Sequence, residues 1–244
     1  MIEEILPVDV MSAEALDDDE DADIRLFAEE RTAIADAVPR RRREFSTVRQ
    51  CARTALGELG IPPVPLPPGR HRAPQWPAGV VGSMTHCSGY RAAAVARASR
   101  MHSVGIDAEE SAPLPGDLLD LVALPAERDL VERLGAQSDA VPWDRLLFSC
   151  KEAVYKAWFP LAQRMLGFDG ARIDIDSRGF FSARFLVPPP QAAGNPVPRL
   201  TGRWMHRDGF ILTAIALPLS INESPVRATH TRAPSRAFLG TENR

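Results

Sequence analysis

Apolar residues change their spacing twice along this chain, and that double change limits the folds open to it. Between Ala28 and Leu59 they recur at three- and four-residue intervals, as in one or two helices, before Gly60 and the proline-rich "IPPVPLPPGRHRAP". "GVVGSMTHCSGYRAAAVARA" and "SVGIDAEE" then read as strands. Helical spacing returns in "LPAERDLVERLG" and in the longer "WDRLLFSCKEAVYKAWFPLAQRMLG". Residue-by-residue alternation follows in "ARIDIDSRGFFSARFLV" and "LTGRWMHRDGFILTAIALP", whose SRG and RDG triplets suit hairpin turns. Helices then strands, twice, predicts an α+β chain of two comparable lobes divided near residues 100 to 112. The groove between such lobes is where a ligand is expected.

Charge and compartment narrow the function. A formal charge of −3 and a sequence pI near 6.0 argue against a general nucleic-acid binder, so any anion site must be local. The start, "MIEEILPVDV", is acidic where a secretory signal would be basic. The longest apolar run, "FILTAIALPLSI", is too short to span a bilayer and contains Pro218, so a cytoplasmic protein with no membrane partner is expected. Cys51, Cys87 and Cys150 are far apart and form no CxxC pair, which predicts free thiols in place of a disulfide framework or zinc ribbon. "DDDEDADIRLFAEE" reads as solvated acidic surface leading into a helix, and the stretch from about Asn222 as an irregular tail.

Three stretches carry chemistry. In "VGIDAEE" the side chains of Asp107 and Glu109 leave one face of a strand together, and the two carboxylates repel unless solvent screens them or a cation sits between. Oxygen-only ligation suits Mg²⁺ or Ca²⁺ better than zinc. In "FSCKEAVYKAWFP" Glu152 and Lys156 share a helix face, with Lys151 and Tyr155 on a neighbouring one; these are the chain's only lysines. An ordinary ion pair would account for Glu152 and Lys156. Phe148, Val154, Trp158 and Phe159 surround them, however, so part of this face is expected to line a pocket, where a third carboxylate would complete a metal site. In "GSMTHCSGYRAAAVA" Gly82 and Ser83 are read as a tight turn, with the Thr85 hydroxyl and His86 imidazole at its edge, both able to donate to phosphate. Upstream, Arg40 to Arg43 precede Arg49 and Arg53, which share a helix face with Arg42. That stripe suits phosphate, a solvated helix face or a nucleic-acid patch.

Taken in order, "RRREFSTVRQCAR", "WPAGVVGSMTHCSGYRAAAVA", "SVGIDAEE", "LPAER", "WDRLLFSCKEAVYKAWFP" and "GRWMHRDGFILTAIALP" resemble the blocks of the larger, two-lobed phosphopantetheinyl transferases, especially actinobacterial ones. The resemblance covers roughly residues 20 to 218. It implies two pseudo-symmetric lobes of similar fold, 1–105 and 106–221, each a small mainly antiparallel sheet packed with helices, followed by a tail over 222–244; such lobes would make a monomer self-sufficient. It implies transfer of 4'-phosphopantetheine from coenzyme A to a serine of an apo acyl or peptidyl carrier protein, with release of 3',5'-ADP. Asp107, Glu109 and Glu152 would hold Mg²⁺ (or Mn²⁺), and Glu152 or a water beside it would accept the serine proton. Arg41 and Arg49, with Thr85 and His86, would grip the 3'-phosphate and pyrophosphate, joined by Arg53 and Lys151. Lys156 would reach the phosphates, a slim ammonium suiting a crowded pocket better than a planar fork. "WFPLAQRMLGF", with Met165 and Leu166 exposed, would receive the carrier; a core role is the other reading of these residues.

The chain departs from the family pattern in one place. The loop before the tryptophan reads "LPPGRHRAP", with Pro68 where a basic residue is expected; Arg70 or His71 would have to substitute. Two other functions stay open on the sequence: a coenzyme A or nucleotide-binding regulator without transfer activity, and a metal-dependent phosphohydrolase.

Overall fold

Two long helices organise the chain, each laid on an antiparallel sheet. The computed structural model describes residues 1–18 and 25–219, so the predicted tail and part of the acidic run lie outside the described residues. A 3-10 turn at Ile2–Ile5 leads into β1 (Val10–Ala15), then α1 (Ala28–Ala33), α2 (Pro39–Glu58), β2 (Val80–Cys87) and β3 (Tyr90–Arg97). After β4 (Met101–Glu110) come α3 (Leu118–Val122), α4 (Pro125–Gln137) and α5 (Trp143–Ala162). The chain finishes with β5 (Ala171–Asp176), β6 (Phe180–Phe185), the short β7 (Gln191–Ala192) and β8 (Asn195–Pro196), β9 (Arg199–Arg207) and β10 (Phe210–Pro218). The mixed α+β class with antiparallel sheets agrees with the sequence. Among the described residues no helix is long and apolar enough to cross a membrane.

Local chemistry accounts for several boundaries. Pro39 and Pro125 open α2 and α4, where a fixed φ and a missing N–H do no harm. The RDG turn between β9 and β10 places Asp208 and Gly209 at φ 51° and 82°, the paired positive angles that a tight hairpin requires. Helix α5 stops at Ala162, Gln163 adopting the left-handed conformation, so the apolar stretch up to Gly167 is a loop and not more helix. The predicted turn at Gly82–Ser83 is corrected: both residues lie inside β2, and the chain reverses at Ser88–Gly89. Glycine is needed at 82 because a β-carbon there would stand 2.7 Å from Ala94 O and 2.9 Å from the Trp76 ring.

The sheets are unequal. Of the two main sheets one runs β1-β3-β2 and the other β4-β10-β9-β6-β5, while β7 and β8 pair in a separate two-stranded ribbon. Strand β4 belongs wholly to the larger sheet, so a division at residue 105/106 would cut it; the chain passes between sheets at the turn over residues 98–100. Helix α2 buries Ala52, Ala55 and Leu56 in a cluster with Val95 and Leu66, while α5 buries Leu146, Leu147 and Trp158 in one with Ile173 and Ile211. Each such large side chain contributes roughly 1.5–3 kcal/mol by leaving water.

The edges of the two sheets, β2 and β4, face each other without a backbone ladder. The Ile106 N–H donates to Ser83 Oγ (3.1 Å) and the Ala108 N–H to Thr85 Oγ1 (3.0 Å). Two hydroxyls thus satisfy edge donors that a strand carbonyl would otherwise accept. Side chains, not carbonyls, span this gap, and a cleft forms beside it.

Candidate active site

A cleft of about 860 Å³ lies beside this seam. Its walls come from both lobes: Arg41, Phe45 and Arg49 of α2, the loop from Pro68 to Trp76, Gly82 to His86 of β2, and Glu152, Tyr155, Lys156 and Phe159 of α5. Gly105 brings α5 within reach of β4, since a β-carbon at that position would lie 2.2 Å from Ala153 O and 2.7 Å from Ala157 N. This close approach lets Lys156 stretch across the strand. Its Nζ donates to Asp107 Oδ1 (2.7 Å), to Ile106 O (3.0 Å) and to Thr85 Oγ1 (3.3 Å).

Asp107 sits behind the cleft wall, 4% exposed, with both oxygens engaged. Thr85 Oγ1 donates to Oδ1 (3.2 Å) and Ser149 Oγ to Oδ2 (2.8 Å). Thr213, the cross-strand neighbour of Asp107, donates to Ser149 O (3.1 Å) and so fixes that serine. Glu109 pairs with Arg145 Nη1 (2.8 Å), whose Nε and Nη2 also hold Ala112 O and Pro113 O. Burial, then the Asp107 charge, pushes the Glu109 carboxyl up to about 7. The same two causes raise Glu152, to whose carboxylate no described residue donates a hydrogen bond. Sequence reasoning assigned no role to Ser149, Arg145 or Thr213; their signal, polar residues on strand or helix faces otherwise packed as core, is common enough to pass unnoticed.

On the opposite wall Arg41 Nη1 is hydrogen-bonded to His86 Nε2, and Glu44 Oε2 lies 3.5 Å from each. Burial, then the nearby Arg41 cation, lowers His86 to about 4, so the ring is neutral at physiological pH. Arg49 lines the cleft only in part. Its Nε donates to Leu66 O (2.9 Å), its guanidinium stacks on Phe45, and burial lowers it to about 9, still a cation. Arg70, His71 and Arg72 all line the mouth of the cleft, in the loop that lacks a basic residue at position 68.

Two residues expected at the cofactor are elsewhere. Arg53 points into the α1–α2 interface, where its Nη1 meets Glu30 Oε1 at 2.9 Å. Lys151 lies about 100° round α5 from Glu152. That angle carries its ammonium away from the cleft to Glu127 Oε2 (2.8 Å), Phe168 O (2.6 Å) and Ala171 O (3.2 Å). Glu30 and Glu127 have no exposed side-chain surface, so each cation answers a buried carboxylate. The predicted cationic stripe therefore splits, Arg41 facing the cleft and Arg53 the interior.

The three candidate metal carboxylates are coupled, though not assembled. Among the described residues no group of three or more His, Cys, Asp or Glu could hold a metal ion as it stands; Asp107 is paired with Lys156 and Glu109 with Arg145. Their chemistry does fit one: an all-oxygen donor set, on which one acid raises the proton affinity of the other two, is short of positive charge.

Comparison with known proteins agrees in family and extent. The profile of the 4'-phosphopantetheinyl transferase N-terminal domain matches residues 29–96, and that of the 4'-phosphopantetheinyl transferase superfamily matches residues 103–197. The chain is 51% identical over 219 residues to 4'-phosphopantetheinyl transferase Svp of Streptomyces mobaraensis, covering 89% of each protein. It is 50% identical over 225 residues to 4'-phosphopantetheinyl transferase Npt of Nocardia iowensis, covering 88% of this chain and 99% of that one. It is 50% identical over 195 residues to 4'-phosphopantetheinyl transferase PptT of Mycobacterium tuberculosis, covering 78% and 85%.

Proposed function

The chain belongs to the 4'-phosphopantetheinyl transferases, enzymes that move the phosphopantetheine group of coenzyme A to carrier proteins, and from that premise we propose how its cleft divides the work. The observation that supports this division most is the pairing of opposite walls: Arg41 and His86 on one side, Glu152 and Lys156 on the other. The first pair offers donors to the phosphates of coenzyme A. Lys156 supplies a point charge that its hold on Asp107 orients, and Ser149 and Thr85 keep Asp107 in place. A Mg²⁺ or Mn²⁺ ion held by Asp107, Glu109 and Glu152 would offset negative charge on the pyrophosphate.

In the reaction, the carrier's serine oxygen attacks the phosphorus that bears pantetheine. One P–O bond forms, the bridging P–O bond to 3',5'-ADP breaks, and the serine proton passes to Glu152 or to a water beside it. The acceptor hydroxyl comes from the partner, so the chain needs no serine nucleophile of its own. The carrier is received beside Tyr155, where Met165 and Phe168 stand exposed while Leu166, expected at that surface, packs against the core instead, and the enzyme acts as a cytoplasmic monomer.

Incubation with coenzyme A, Mg²⁺ and a purified apo carrier protein tests the reading. A mass gain of one phosphopantetheine on the carrier is expected, and Glu152→Gln should remove it. Free 3',5'-ADP without that gain would make the protein a hydrolase, and neither product would leave it a binder.

A further inference from the structure

The Lys151–Glu127 pair lies outside the cleft, and its contacts lead to the enzyme's other side. All three ammonium hydrogens of Lys151 have acceptors: Glu127 Oε2, Phe168 O and Ala171 O. Glu127 in turn accepts from the Leu124 N–H (2.7 Å), which starts α4, and from the Ile173 N–H (2.7 Å) in β5. The pair thus ties together α4, α5 and the segment that leaves α5. That segment is the 163–170 loop.

The loop presents apolar surface next to the cleft. Met165 is 59% exposed and Phe168 37%. Tyr155, which lines the cleft, donates from its hydroxyl to Met165 Sδ (3.0 Å), so the cleft wall continues into the loop. From inside, the Trp158 Nε1–H donates to Arg164 O (2.9 Å) and holds the near end, while Lys151 holds the far end. Both anchors sit on α5, the helix that carries Glu152 and Lys156. Helix geometry therefore fixes the loop relative to the reacting phosphate. A buried ion pair gives little net stability over a well-packed apolar substitute, so its value here is in geometry.

We propose that Lys151 is a positioning residue for the carrier protein: with Glu127 it holds the 163–170 loop in register with Glu152 and Lys156, and it makes no contact with coenzyme A. The occupant is a carrier protein because the surface adjoins the cleft that must admit a carrier serine; this rests on the transferase reading above.

The paired replacement Lys151→Met with Glu127→Gln removes the anchor without stranding a buried charge. The apparent KM for the carrier should rise about tenfold at saturating coenzyme A, with the calorimetric Kd for coenzyme A within about twofold of wild type. Amide hydrogen exchange at residues 168–171 should quicken while α2 stays protected. That measurement needs no turnover, so it separates this inference from the transferase reading, which fails if the wild-type protein itself modifies no carrier. Should the pair fail to fold, Lys151→Arg keeps the charge but misplaces the donors, and the same split between carrier and coenzyme A is expected. An unchanged carrier KM, unchanged loop exchange, or a parallel loss of coenzyme A affinity would overturn the proposal.

Discussion

The two lobes solve one problem twice, with different cations. Glu30 is the third residue of α1 and Glu127 the third of α4, and each accepts the backbone N–H just before its helix, from Phe27 (2.9 Å) and Leu124 (2.7 Å). Each also accepts a backbone N–H from beyond the following long helix, Leu66 (2.9 Å) in one lobe and Ile173 (2.7 Å) in the other. Each is paired with a buried cation of that long helix, Arg53 or Lys151. The knots fasten different loops. Through Leu66 the first holds the approach to the basic 68–76 loop of the cleft; through Phe168 and Ala171 the second holds the 163–170 loop.

The difference lies in donor count. Arg53 leaves Nη2 buried without a partner among the described residues, whereas every hydrogen of Lys151 has an acceptor. Lysine therefore stands at 151 because three buried acceptors converge there, and the expected phosphate contact does not explain it. At 156 the same residue type does face the cleft. One helix thus uses two lysines for two purposes, separated by a rotation about its axis.

The largest test of this symmetry breaks a knot outright. Glu30→Ala or Glu127→Ala leaves a buried cation unpaired and should lower unfolding free energy by about 3–5 kcal/mol in urea titration. Because the knots share no residue, the two losses should add within about 0.5 kcal/mol; strong coupling would mean that they are one network. A smaller effect separates the two lysines. Lys156→Arg should raise the KM for coenzyme A about tenfold, near 1.4 kcal/mol, because a planar fork cannot replace the ammonium between Asp107, Thr85 and the Ile106 carbonyl. Wild-type turnover with an unchanged KM would show that Lys156 owes nothing to its shape.

The smallest effect concerns the wall of the first lobe. His86 is held at about 4 when folded, against an ordinary value of 6.5, so as pH falls the unfolded chain takes up this proton first. The stability it contributes is complete above the unfolded value and is lost as pH falls towards 4. His86→Asn should accordingly flatten the fall of Tm over that window, and curves parallel to wild type would place His86 in a different environment.

Much of the cleft's lining was legible. The alternation around Asp107 and Glu109 gives a strand, and the four-residue spacing of Glu152 and Lys156 gives one helix face turned to the cleft. Thr85 and His86 do line that cleft, although they come from the end of β2, just before the reversal at Ser88–Gly89, and not from the edge of a turn at Gly82–Ser83. The interior places of Arg53 and Lys151 leave no trace in the sequence, because a cation at helical spacing has the same local signature whether it faces a phosphate or a buried acid. The acids that decided their fate, Glu30 and Glu127, lie more than twenty residues upstream and read as ordinary residues of a first helical turn.

The sequence by itself determined the order of helices and strands, the hairpin turns, and the relative angles of charged side chains along each helix, because those follow from local dihedral preferences and fixed periodicity. Which of those angles faced a ligand and which a buried carboxylate was decided only when the helices docked. Docking sets the absolute rotation of a helix through every contact on its surface at once, and a buried charge then takes whatever partner lies within about 3 Å.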